Sequence, residues 1–194
     1  MMRHLNAAQA SPLATRLARS AAIMFSSLAL ALSHASCGDS PATPYESDDG
    51  VMLTCPEGWS ISEDHANEIG GRYLQLDEAS FDSSGLVIIN WAGEVFERAS
   101  FLEDAAEGFL ATYQDMFGLS GLESVEPTET QFGAHPALRV DYSFRIMGIE
   151  HRGALYVLNA SEKTFLIIKQ EGLEDQEKNL AGFEVIEATF RCLE

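Results

Sequence analysis

The clearest pattern in the chain runs from Leu138 to Ile146. Leu138, Val140, Tyr142, Phe144 and Ile146 alternate with Arg139, Asp141, Ser143 and Arg145. A period of two puts all five apolar side chains on one face, so the stretch predicts an antiparallel strand with one buried side. Met147-Gly148 turns it into a second strand over Glu150 to Leu158, and Thr164 to Lys169 supplies a third. Upstream, Val51 to Cys55 reads as a short strand stopped by the Pro56-Glu57-Gly58 turn, and Trp59 to Ile61 resumes briefly before an acidic, polar stretch. Arg72 to Leu76 alternates. Leu86 to Trp91 is a β-branched-rich apolar run, which predicts a strand covered on both faces.

Two segments change period. From Ser100, Leu102, Ala105, Phe109, Tyr113 and Met116 recur at three- and four-residue spacing, while Glu103, Asp104, Glu107 and Gln114 fall largely opposite. Ser100 and Glu103 have the spacing of a capping box, and Gly118 follows as a stop. From Asp175, Leu180, Phe183, Ile186 and Phe190 return to helical spacing, although Gly182 weakens that helix by about 1 kcal/mol relative to alanine. The acidic stretch from Glu123 to Thr130 reads as a loop, and Gly133-Ala134-His135-Pro136 as a turn. Strands, a helix, a three-strand meander and a last helix predict an α+β domain, an antiparallel sheet packed by helices.

Residues 1–36 do not belong to that domain. They carry Arg3, Arg16 and Arg19 and no acidic residue, and Ser20 to Leu32 is an apolar run too short to span a bilayer. This has the form of a signal peptide. Ala35-Ser36-Cys37 resembles a bacterial lipobox, with Cys37 as the lipidated first residue of the mature protein, although His34 stands where leucine is usual. Ser33-His34-Ala35 equally fits plain signal-peptidase cleavage, which would yield a secreted or soluble periplasmic form. Residues 38–50 are Gly, Ser, Pro, Thr and acid with almost nothing apolar to bury, so 37–50 reads as a flexible tether before a domain at 51–194.

Charge narrows the function. Of 12 basic and 30 acidic residues, nine basic and all 30 acidic lie from Cys37 onward, a net charge of −21 for the mature chain. A phosphate backbone would be repelled, so nucleic acid is not an expected partner. The 46% hydrophobic content supports a packed core. Of the three cysteines, lipidation of Cys37 would leave Cys55 and Cys192, and export to an oxidising compartment predicts a disulfide between them.

Several local motifs together resemble the PsbP-like family and, within it, the bacterial DcrB-like lipoproteins. They are Cys55-Pro56-Glu57-Gly58-Trp59, the helix from Ser100, the Gly133-Ala134-His135-Pro136-Ala137 turn, and Phe165 to Ile168 with the closing Phe183, Ile186 and Thr189-Phe190-Arg191. The resemblance implies a PsbP-like α/β sandwich. It also implies a binding scaffold with no shared reaction, so function has to come from a site.

Candidate chemistry is sparse. Gly118-Leu119-Ser120-Gly121 fails as a nucleophile elbow because Leu122 replaces the second glycine, and no phosphate loop, CxxC or HExxH occurs. No catalytic residue, resident metal or cofactor is therefore expected. Glu63-Asp64-His65 has the residue types for a divalent cation but reads as a solvated acidic loop, with His135 structural and His151 an exposed sheet residue. Trp59 and Trp91 read as core, and Asn159-Ala160-Ser161 as an unmodified acceptor pattern. Arg139, Arg145 and Arg152 lie on adjacent strands. They have the makings of a patch for an anionic ligand, against the expectation that they pair with Asp141, Glu150 and neighbours. The expectation is an envelope lipoprotein, facing the periplasm, that is not an enzyme. It touches the membrane through its anchor and binds an envelope protein; the alternative is a small molecule or divalent cation, bound by the acidic surface or a pocket between sheet and helix.

Overall fold

Every residue of Leu86–Ala92 is buried, and the fold is organised around this strand. The computed structural model describes residues 40–67, 70–80, 83–117, 123–124, 126–146 and 148–193. Residues 1–36, expected from sequence to be a signal peptide, and Cys37 lie outside the described residues. In chain order the strands are β1 (Thr43–Glu46), β2 (Val51–Cys55), β3 (Trp59–Ala66), β4 (Arg72–Glu78), β5 (Leu86–Ala92), β6 (Glu123–Ser124), β7 (Thr128–Phe132), β8 (His135–Ile146), β9 (Ile149–Ala160), β10 (Lys163–Gly172) and β11 (Arg191–Cys192). Helix α1 (Arg98–Phe117) precedes β6, and α2 (Gln176–Thr189) follows a 3-10 turn at Leu173–Asp175.

Among the described residues the larger sheet is ordered β3-β4-β5-β10-β9-β8-β6, with β7 also pairing to β8, and every pairing is antiparallel. A small sheet, β1-β2-β11, packs with α2 on one face. The sheet therefore has two cores. Val140, Tyr142, Phe144, Leu155, Val157, Leu166 and Ile168 meet Leu102, Ala105 and Phe109 of α1. The alternate residues Ala154, Tyr156, Leu158, Phe165 and Ile167 meet Phe183 and Ile186 of α2, Phe190, and Val51, Leu53 and Cys55 of the small sheet. This is the α+β sandwich that the two periodicities imply, because neither helix nor sheet can bury its apolar face alone.

Five expectations change. The tether is shorter than 37–50: Thr43–Glu46 pairs with β2, Tyr45 packs on the core, and Ser47 is buried. An extended polar segment can join a sheet because the ladder uses backbone groups, which every residue carries. Helix α1 begins two residues before Ser100, and its cap is Glu97, whose carboxylate accepts the Ala99 and Ser100 N–H groups at 3.0 and 2.8 Å. The acidic stretch before Gly133 contains β6 and β7, with only Phe132 of β7 buried. Leu180 is not part of the buried face of α2 but 53% exposed. The side chains of Tyr113, Gln114 and Met116, and Gly118 itself, lie outside the described residues.

The fifth correction concerns Cys55 and Cys192, which are free thiols. Cys192 sits opposite Val51 in the small sheet, four positions along β2 from Cys55. At about 3.3 Å per residue the two α-carbons are roughly 13 Å apart, well beyond the ~7 Å a disulfide spans. Sheet register, not sequence distance, keeps them unpaired. Burial pushes the Cys55 thiol pKa up.

At Gly133, φ is +57° and a β-carbon would lie 2.6 Å from the Glu187 carbonyl oxygen. Glycine therefore lets the β7–β8 turn sit against the last turn of α2.

Candidate functional site

Strands β8, β9 and β10 each send alternate side chains toward α2. Register aligns Arg139 with Tyr156, Asp141 with Ala154 and Ala154 with Lys169, and Arg152 with Glu171. Toward the Glu171 end this face becomes polar, and Ala154 contributes almost no side-chain volume. The result is a cavity of about 420 Å³ between the sheet and α2, walled on the helix side by Leu180, Phe183 and Glu184.

The charges in this cavity are paired. Arg139 donates from Nε and Nη2 to Asp141 Oδ1 at 2.8 and 2.6 Å. Arg152 donates from Nε and Nη2 to Glu171 Oε1 at 3.1 and 2.9 Å. Lys169 Nζ lies 3.2 Å from Glu187 Oε2. These pairs frame aromatic rings. The Arg139 guanidinium carbon is 5.3 Å from the Tyr156 ring centre, and Lys169 Nζ is 5.8 Å from Tyr156 and 5.0 Å from Phe183. A cation held over the face of a ring gains from the ring's quadrupole. Burial pushes the Tyr156 pKa up to about 12, against the opposing pull of Arg139, so its hydroxyl keeps its proton at neutral pH.

One atom in this cluster has no counterpart. Glu171 Oε2 is buried and has no hydrogen-bond partner, although the side chain is only 9% exposed. A buried acceptor without a donor is costly and uncommon in a folded protein.

The three arginines singled out by sequence behave as expected in that each meets a carboxylate, Arg145 reaching Glu150 at 3.7 Å. Arg139 and Arg152 reach the cavity. Glu63-Asp64-His65 lies on β3 and not in a loop: Asp64 pairs with Arg72, and His65 stacks on Tyr73 at 5.2 Å with its Nε2 3.6 Å from Glu63. Among the described residues no group of three His, Cys, Asp or Glu side chains could hold a metal ion. Trp59 and Trp91 are both core. His135 packs edge-on against Phe190 in the β7–β8 hairpin, as a structural residue would. His151 is a correction: it is half-buried, its ring stacked on Phe144 at 5.4 Å with Nδ1 enclosed and unpartnered. Burial lowers the pKa of both histidines. Asn159 serves the fold, its amide donating to the Phe96 carbonyl and its Oδ1 accepting from Thr164.

Sequence reasoning missed Lys169, Glu171, Tyr156 and the exposed Leu180 as site residues. Lys169 ends an apolar run and Leu180 fits a helical stripe. The only available signal was the row of basic residues on the polar positions of adjacent strands.

The fold class is an antiparallel α+β sandwich with a sheet–helix cavity. No family model matches the chain, and no curated protein matches it. Among solved structures it is similar to cyanobacterial PsbP from Synechocystis, with a TM-score of 0.54 and 15% identity over 83% of this chain and 98% of that one. A weaker match is LpqN of Mycobacterium tuberculosis, described as involved in cell envelope biogenesis, with a TM-score of 0.48 and 13% identity over 79% of this chain and 91% of that one. The fold is thus PsbP-like, and at these identities the likeness concerns fold alone.

Proposed function

We propose that the chain is an exported, non-enzymatic envelope protein of the DcrB-like lipoprotein kind, anchored at Cys37, whose domain binds a ligand in the cavity between α2 and strands β8 to β10. The single observation behind the binding reading is that cavity: Arg139, Arg152 and Lys169, three of the nine basic residues of the mature chain, converge on it beside apolar walls. Ligand sites are typically concave and mostly apolar, with a few placed polar groups. Holding these charges in reciprocal pairs favours recognition over proton transfer, since no cavity carboxylate stands beside an activated nucleophile. The anchor reading rests on the basic n-region, the short apolar run and Ala35-Ser36-Cys37.

Native mass spectrometry of the protein isolated from its own envelope tests the binding. An occupant should be retained by the wild type and lost from Ala154→Leu, which fills the cavity floor. Retention in both would move the site elsewhere. Intact mass should show Cys37 as the acylated first residue, and Cys37→Ser should release a folded protein from the membrane. A second reading, docking of another envelope protein across the cavity mouth, is favoured by the exposed Leu180. A photocrosslinking residue at position 180 that captures one protein, when the same residue at exposed Val95 does not, would favour it.

A further inference from the structure

We propose that the cavity recognises an amino-acid zwitterion, a small molecule with both an ammonium and a carboxylate group and an apolar or aromatic side chain. This rests on the cavity being the binding site.

Charge carries the first step. Arg139, Arg152 and Lys169 face Asp141, Glu171 and Glu184, so the lining has as many positive as negative groups. A simple anion would engage the basic groups alone and would approach a domain whose overall charge is strongly negative. A simple cation would engage the carboxylates alone. A zwitterion engages both sets.

Unused hydrogen-bonding capacity carries the second. Lys169 has three donors and directs one to Glu187. Arg139 and Arg152 each bind their carboxylates through Nε and Nη2, which leaves Nη1 available to a ligand carboxylate. On the acceptor side, the buried Glu171 Oε2 has no donor. A ligand ammonium, with three donors of its own, satisfies that oxygen when the Glu171 carboxylate turns toward the cavity. Charge-assisted hydrogen bonds of this kind are about twice as strong as neutral ones.

The third step is the apolar part. Leu180 stays 53% exposed although it stands one turn from the buried Phe183, and Phe183 and Tyr156 present rings to the same space. A ligand side chain laid against Leu180 and Phe183 removes that apolar surface from water. The volume of about 420 Å³ lies in the ligand-site range of roughly 300–1,000 Å³.

Isothermal titration of the purified full-length protein with three probes tests this. L-phenylalanine carries both charges, 3-phenylpropanoate lacks the ammonium, and 2-phenylethylamine lacks the carboxylate. L-phenylalanine should bind, with each single-charge analogue at least tenfold weaker. Glu171→Gln should weaken L-phenylalanine about tenfold, and by more than it weakens 3-phenylpropanoate, while Lys169→Met should weaken L-phenylalanine by more than it weakens 2-phenylethylamine. The three-probe comparison on the unmodified protein needs no variant to fold. Equal affinity for either analogue would overturn the proposal, as would no binding of L-phenylalanine up to about 10 mM, far weaker than a ~1 mM site. If L-phenylalanine fails while Ala154→Leu still expels a native occupant, the zwitterion falls and the cavity stands. If no occupant responds to Ala154→Leu, the cavity reading falls as well.

Discussion

Trp91 donates its indole N–H to the carboxylate of Asp49, Nε1 to Oδ2 at 2.6 Å, across 42 residues of chain. Trp91 is fully buried in β5, and Asp49 belongs to the polar stretch between β1 and β2. The bond ties the start of the domain to its centre. Ser47 donates to the same carboxylate, and Lys163 Nζ donates to the Asp49 carbonyl oxygen at 3.0 Å. Burial of Asp49 opposes ionisation, but the bonds from Ser47 and Trp91 and the Lys163 charge prevail, and its pKa lies below the ordinary carboxylate value.

Replacing Asp49 with alanine leaves the Trp91 N–H buried and unpaired, which should cost about 1–3 kcal/mol by urea denaturation. A carboxylate whose folded pKa is depressed contributes stability that is present above about pH 4 and lost as pH falls through the folded value. Asp49→Asn keeps an acceptor, so it should cost less than Asp49→Ala and flatten the wild type's stability loss below pH 4.

Phe109→Ala should cost about 3–5 kcal/mol. Phe109 is 3% exposed, and its ring lies 5.0 Å from that of Tyr142, between α1 and the sheet. Chemical denaturation measures it, and a cost near zero would mean the site collapses without loss of packing.

Gly182→Ala should destabilise even though alanine is the better helix former. A β-carbon at Gly182 would lie 2.2 Å from Trp59 Nε1, so the indole occupies the space glycine leaves on α2. Overpacking of this kind costs about 1–3 kcal/mol, more than the ~1 kcal/mol gained in propensity. The double variant Gly182→Ala with Trp59→Phe should recover part of the loss in melting temperature.

Acidification should weaken the fold through His135 and His151. Burial lowers both pKa values in the native state, so the unfolded chain binds more protons. Stability then falls as pH drops below the unfolded value of about 6.5 and stops falling below the folded values. His151→Phe, which retains the stack on Phe144, should reduce the slope of melting temperature against pH between about 7 and 5.

Cys55 and Cys192 should both be recovered as free thiols by non-reducing peptide mapping, and a reductant should leave the melting temperature unchanged. A bridged peptide would require a different register between β2 and β11.

How much of this was legible in the sequence depends on the range of the interaction. Period-two alternation from Leu138 to Phe144, the doubly apolar run at Leu86 and the helical stripe of Leu102, Ala105 and Phe109 report burial directly, so β5, β8, α1 and their shared core followed from sequence. The capping of α1 did not, because Ser100 and Glu97 offer equivalent local chemistry and only the path of the preceding chain selects Glu97. Strand β7 was hidden because it buries only Phe132, and a strand held by its backbone ladder leaves no apolar period. β1 was hidden for the same reason.

Only the tertiary structure decided the rest. Residues 42 positions apart meet at Trp91 and Asp49, while Cys55 and Cys192, apt partners by composition, are held apart by register. The cavity likewise arises where three strands align Ala154 with Asp141 and Lys169, and where α2 leaves their polar end uncovered. A sequence records what each residue can do within a few neighbours, through its period, propensity and charge. Which residues face each other across a sheet is set by register and helix placement, and those are properties of the whole packed chain.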